Sequence, residues 1–144
     1  MIKNNYKIDN YKFRYYLKTR FRDLDPFGHV NNAVYASYIE SARVELLNDW
    51  KIPRSNTGKS IIMASLKINY HSQLSHPTSL VIGQKITRIG RSSFDIESIV
   101  FDSNNIDSNN NRVICSALVT VVCFDFDSQT PVEVYESIKQ AYEA

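Results

Sequence analysis

From Tyr11 to Phe21 the chain alternates between apolar and polar positions. Tyr11, Phe13, Tyr15, Leu17, Thr19 and Phe21 fall on one side of an extended backbone; Lys12, Arg14, Lys18 and Arg20 fall on the other, with Tyr16 among them. A period of two predicts a strand with one wet face. Past Asn32 the period changes. Tyr35, Ile39, Ala42 and Leu46 recur at helical spacing, Trp50 follows one turn later, and no Gly or Pro interrupts the stretch. This predicts a helix over 32–49, with Asn31 or Asn32 suited to its N-cap and Ile52-Pro53 beyond its end. After a loop at 53–58, the pattern predicts strands over 60–72, 80–89, 93–102 and 112–126, with a break at 73–78. Gly90-Arg91 turns the two middle ones into a hairpin, and 103–111 is a polar, low-complexity loop. The last strand is apolar on both faces in its middle, ALVTVVCF. That suits a central strand or one covered by another subunit. Val134, Ile138, Ala141 and Tyr142 lie on one side of a short helix closing the chain at 131–144, while residues 1–10 read as a frayed polar lead.

One long helix among five strands supplies too few crossovers for a doubly wound fold. The expectation is α+β, one domain over 1–144: a partly antiparallel sheet curved around the helix, its outer face needing a partner. A chain of 144 residues is long enough for such a core.

The net charge of +2 is too small to imply nucleic acid as a partner. It is unevenly spread: residues 1–22 hold seven Lys or Arg against Asp9, and 125–144 hold five acids against Lys139. A solvated strand face and an acidic tail explain this, as does a basic strip attracting a phosphorylated ligand. Cys115 and Cys123 are eight residues apart in one apolar run, roughly 26 Å along a strand, too far for a disulfide. They read as reduced core residues of an intracellular, cytoplasmic protein. MIKNNYKIDNYK has no apolar signal region, and no apolar run is long enough to span a membrane.

Polar chemistry concentrates in RDLDPFGHVNN, residues 22–32. Its Asp-x-Asp start resembles a calcium loop. Counted from Asp23, however, Phe27 takes position 5 and Val34 position 12, where such a loop needs an oxygen ligand and a bidentate Glu. Zinc needs His or Cys at short spacing, which His29, His71 and His76 do not provide. A turn at Asp25-Pro26-x-Gly28 with an Asn cap accounts for part of the motif. A site is the other reading. A helix N-terminus offers unpaired N–H groups and a positive dipole end, an oxyanion hole if aimed at a carbonyl. A carboxylate upstream can act as base or nucleophile, and Asp25 stands there. The residues alone leave both readings standing.

RDLDPFGHVNNAVYASYIESAR at 22–43 resembles the N-terminal signature of hotdog-fold acyl-CoA thioesterases, in the 4-hydroxybenzoyl-CoA thioesterase-like branch. The resemblance continues through TRIGRSSF at 87–94, VTVVCFD at 119–125 and Pro131-Val132. It implies a five-stranded antiparallel sheet wrapped around one long central helix, and homodimers or homotetramers with sites at the dimer interface. It also implies hydrolysis of an acyl-CoA to free acid and CoA, without metal or organic cofactor, in lipid metabolism. Carried onto this chain, the catalytic carboxylate is Asp25, the polarising amide is that of Asn32, and Asp23 is structural. His29 orients Asp25, lines the pocket or simply packs; one branch of the family has His at the position of Asn32, and this chain does not. Asn31 and Tyr35 are candidates for the substrate pocket. Arg88, Gly90, Arg91 and Ser92 are candidates for the CoA end, Arg88 and Arg91 as phosphate ligands. An acyl-ACP thioesterase and a non-catalytic acyl-CoA-binding domain remain as alternatives.

Overall fold

The computed structural model describes residues 6–105 and 112–144. The strands are β1 (Phe13–Lys18), β2 (Lys59–Tyr70), β3 (Ser79–Ile89), β4 (Ser93–Asp102), β5 (Val113–Asp125) and the two-residue β6 (Thr130–Pro131); the helices are α1 (Val34–Asp49) and α2 (Glu136–Glu143). All pairings are antiparallel, in the order β1-β3-β4-β5-β2, with β6 on β5. This is the α+β hotdog arrangement, a curled sheet around one main helix.

Helical spacing brings Tyr35, Ile39, Ala42, Leu46 and Trp50 to the buried side of α1. They form one core with Leu80 and Ile82 of β3, Phe94, Ile96 and Val100 of β4, and Val119 and Val121 of β5. Two polar groups join the layers: Gln84, buried on β3, donates to the Ala42 carbonyl at 2.9 Å, and Ser98 donates to Gln84. Cys115 and Cys123 are free and buried; burial pushes the Cys115 thiol up to about 12, so neither invites thiolate chemistry.

The β1 alternation holds over Phe13–Lys18, but the strand is shorter than the pattern suggests. Phe21 begins a 3-10 turn, Phe21–Asp23, and is exposed. Residues 6–11 are no frayed lead. Ile8–Asn10 form a 3-10 turn, and Ile8 and Tyr11 pack with Val81, Ile99, Phe101 and Val113 in a second cluster. Tyr11 lies over Gly83, where an added Cβ would meet its ring at 2.7 Å, and its hydroxyl donates to Glu97 at 2.6 Å. The chain's own lead thus covers part of the sheet face expected to need a partner. β5 is an interior strand, but past Ala117 it alternates, with Leu118 exposed. Residues 1–5 and the rest of the polar loop, 106–111, lie outside the described residues.

β1 and β2 are the sheet edges. β2 runs twelve residues, with Ile62, Met63 and Tyr70 exposed. A long edge with apolar exposure is a template for pairing with another strand.

Candidate active site

The segment between β1 and α1 folds as a small hairpin closed by the Leu24–Val30 bridge. Asp25 N–H donates to the His29 carbonyl at 2.7 Å and Gly28 N–H to the Asp25 carbonyl at 3.2 Å. Pro26 suits the second position of this turn, and Gly28 takes φ +83°, a left-handed conformation that glycine adopts without steric cost. The hairpin is tied to the 72–78 segment by Val30 N–H on the Leu74 carbonyl, 2.8 Å, and by a His29–Ser75 bridge. His76, to which the sequence assigns no role, shares a 2.7 Å hydrogen bond with Thr19 and stabilises the same junction.

Asp23 is 2 % exposed. One oxygen accepts from the Arg20 guanidinium at 3.1 Å; the other accepts from the Arg20 amide at 2.9 Å and the Tyr38 hydroxyl at 2.5 Å. Burial pushes its pKa up, but the Tyr38 and Arg20 hydrogen bonds and the Arg20 charge bring it below the ordinary carboxylate value. Burial and then Asp23 push the Tyr38 hydroxyl the other way, up.

Asp25 is only half-buried. Its Oδ1 accepts from the amides of Phe27 at 2.9 Å and His29 at 3.1 Å; Oδ2 has no protein partner among the described residues. Among the described residues the carboxylate is therefore oriented by backbone alone, through one oxygen. His29 contributes to that through its amide and is one of the residues lining the cleft.

The cleft has a volume of about 610 Å³. Asp25, Phe27, His29, Val30, Asn32 and Tyr35 form one wall; Tyr70, His71, Ser72 and Gln73, at the end of β2, form the other. The second wall was not legible from the motif, since β2 lies on the far side of α1 in the sequence. Tyr35 is buried, and burial pushes its hydroxyl up to about 12, so it is a neutral wall residue.

Neither Asn31 nor Asn32 is the N-cap of α1; that position is Ala33, without a side-chain cap. Asn31 instead closes the preceding turn, its Oδ1 accepting the Ala33 amide at 2.9 Å and its carbonyl the Val34 amide at 2.9 Å. Asn31 does not line the cleft; Asn32 does. The Asn32 amide has no hydrogen-bond acceptor among the described residues, at the positive end of a sixteen-residue helix.

The β3–β4 turn does not meet this cleft within one subunit. Tyr70 pairs with Cys115 and Ser93 with Val122, seven residues along β5, roughly 23 Å. Arg88 is engaged there by Asp95, at 2.8 and 3.1 Å, and by Ser93 at 3.0 Å. A Cβ added at Gly90 would meet the Arg88 guanidinium at 2.7 Å. Arg91 is exposed; its carbonyl and that of Ser92 accept from Val134 and Cys123. Among the described residues no three His, Cys, Asp or Glu side chains gather to hold a metal, and no helix is long and apolar enough to cross a membrane.

A curled antiparallel sheet around one main helix, with Asp25 and Asn32 lining one cleft at the helix mouth, defines a protein of the hotdog class. The sequence pattern of the thioesterase-like superfamily matches residues 19–142. The chain belongs to that superfamily and is a thioester hydrolase. It is 25% identical over 130 residues to the long-chain acyl-CoA thioesterase FadM of Escherichia coli (strain K12), covering 88% of this chain and 94% of that one. It is 30% identical over 129 residues to the chloroplastic acyl-acyl carrier protein thioesterase ATL3 of Arabidopsis thaliana, covering 88% and 65%. A thioesterase from Thermus thermophilus, solved with coenzyme A and Zn, superposes with a TM-score of 0.77 at 27% identity, covering 93% and 99%. The PA5185 protein from Pseudomonas aeruginosa shares the fold, with a TM-score of 0.82 at 20% identity, covering 94% and 92%.

Proposed function

We propose that the protein hydrolyses an acyl-CoA to a free carboxylic acid and CoA, with Asp25 as the reacting carboxylate. One observation carries this reading: Asp25 Oδ1 is fixed by two amides, while Oδ2 and the Asn32 amide, in the same cleft, have no partner among the described residues. The acyl-CoA relative supports the substrate class. The thioester carbonyl oxygen takes the Asn32 amide, and the helix dipole favours the charge that develops on it. Asp25 removes a proton from water as the water attacks the carbonyl carbon, or attacks that carbon itself. Collapse of the tetrahedral intermediate breaks the C–S bond and releases the CoA thiolate. In the nucleophilic route an acyl–Asp25 anhydride forms first, and water then cleaves it. During turnover in ¹⁸O-water, label appearing in the Asp25 carboxylate marks the nucleophilic route with water cleaving the anhydride at the Asp25 carbonyl.

The working unit in this reading is a dimer that pairs the open edge of β2 with its copy, bringing the Arg91 turn of one subunit toward the cleft of the other. The unpaired twelve-residue edge with Ile62 and Met63 exposed supports it. Met63→Lys is expected to shift the protein toward monomer in sedimentation and to lower turnover with it.

A panel of aromatic, medium-chain and long-chain acyl-CoA substrates in a thiol-release assay tests the function. Release of CoA from at least one is expected. A flat zero across the panel, with release from an acyl-carrier-protein thioester, would transfer the reading to the carrier-bound substrate, which the 30% identical plant relative favours.

A further inference from the structure

Both peptides that flank the Asn32 α-carbon are held. In the Asn31–Asn32 peptide, the carbonyl accepts from Val34 N–H at 2.9 Å. In the Asn32–Ala33 peptide, the N–H is held by Asn31 Oδ1 at 2.9 Å and the carbonyl by the Tyr70 hydroxyl at 3.0 Å. Of the four polar groups in these peptides the Asn32 N–H is the one without a partner among the described residues. All but one of these bonds are local to the turn and move with it. The exception comes from Tyr70, thirty-eight residues away at the end of β2.

The Tyr70 ring has its own support. Its centroid is 5.7 Å from that of Tyr35, which is buried in the core. Tyr70 is 48 % exposed and lines the cleft, so its hydroxyl is anchored from behind by ring packing and reaches across the cleft mouth to the turn. The arrangement costs a large aromatic side chain its exposure on one face only, and the hydroxyl adds one directed bond to the peptide next to the free amide. Packing alone would be served as well by Phe; the hydroxyl is what the turn uses.

We infer that Tyr70 is a positioning residue: its hydroxyl ties the turn at the mouth of α1 to the sheet and so fixes the direction of the Asn32 amide toward the reacting carbonyl. The inference rests on the function proposed above. Donors of this kind act through preorganisation, because a donor that must reorient during the reaction loses much of its effect. A loosened amide binds the ground-state thioester nearly as well, so its loss falls on kcat rather than KM.

The test is Tyr70→Phe, which keeps the ring and removes the bond. We expect kcat to fall about tenfold, a fraction of the 10²–10³ lost when such a donor is removed outright. KM should stay within about twofold and the thermal midpoint should not move. Tyr70→Leu, which also removes the cleft wall, should raise KM in addition. Amide hydrogen exchange of ligand-free protein gives a readout independent of turnover: exchange at Ala33 and Val34 should quicken in Tyr70→Phe. Unchanged kcat in Tyr70→Phe overturns the inference, as does a rise in KM with kcat intact, which would make Tyr70 only a binding wall. If the wild-type protein releases no thiol from any substrate, the function reading fails by itself. Exchange then decides the tether: unchanged rates at Ala33 and Val34 overturn it, and quickened rates retain it.

Discussion

Asp23 lies under Tyr38 with both carboxylate oxygens taken. Asp25, two residues on, gives one oxygen to the backbone of its own turn and has no protein partner for the other among the described residues. The sequence presents them as a pair, and the fold separates them by burial. A carboxylate that is buried, ionised and fully hydrogen-bonded is costly to disturb, because its partners would be left buried and unpaired, and it has no oxygen to spare. A carboxylate oriented through one oxygen stays available to a proton or a carbon. The difference comes from the Asp25-Pro26-Phe27-Gly28 turn, which swings Asp25 to the cleft while Asp23 remains at the base of the hairpin.

Substitutions separate the two roles, and the largest effect is at Asp25. Asp25→Asn should lower kcat by about 10²- to 10⁴-fold, the range of a general base, and leave the urea midpoint nearly unchanged. Asp23→Asn should cost about 2–3 kcal/mol in urea unfolding, the scale of buried hydrogen bonds to a charged group, while turnover per folded molecule stays within a few-fold. Its pH dependence has a defined sign. The folded carboxyl lies below its unfolded value, so its contribution is fully present above about pH 4 and is lost as pH falls through the folded pKa. The stability gap between wild type and Asp23→Asn should therefore close in acid; a gap that widens there would contradict the assignment. Tyr38→Phe should cost less, about 1–2 kcal/mol, because Arg20 still holds Asp23. Gly28→Ala should cost roughly 1 kcal/mol, since an alanine at φ +83° meets its own backbone; open space around it leaves no clash to add.

That Asp25 and Asn32 stand together before α1 was legible in the motif, because a turn, a carboxylate and a helix start are local features with fixed offsets. The core face of α1 was legible for the same reason, from Tyr35 through Leu46. What escaped depends on pairings distant in sequence. Tyr70, His71, Ser72 and Gln73 enter the cleft only because β2 crosses to the far edge beside β5 and ends next to α1. The pairing of Arg88, a phosphate-ligand candidate by resemblance, with Asp95 follows from the β3–β4 register, which the local sequence does not display. The lead over 1–10 read as polar because Tyr6 and Ile8 stand among charged and amide residues. Its docking depends on Gly83, whose missing side chain makes room for Tyr11.

The most direct test of the division between the two carboxylates is a crossed measurement on Asp23→Asn and Asp25→Asn prepared side by side: thiol release per folded molecule and urea midpoint for each. Asp25→Asn should lose turnover by at least about 10²-fold at wild-type stability, and Asp23→Asn should lose stability with turnover largely kept. Near-normal turnover in a folded Asp25→Asn protein would contradict that division.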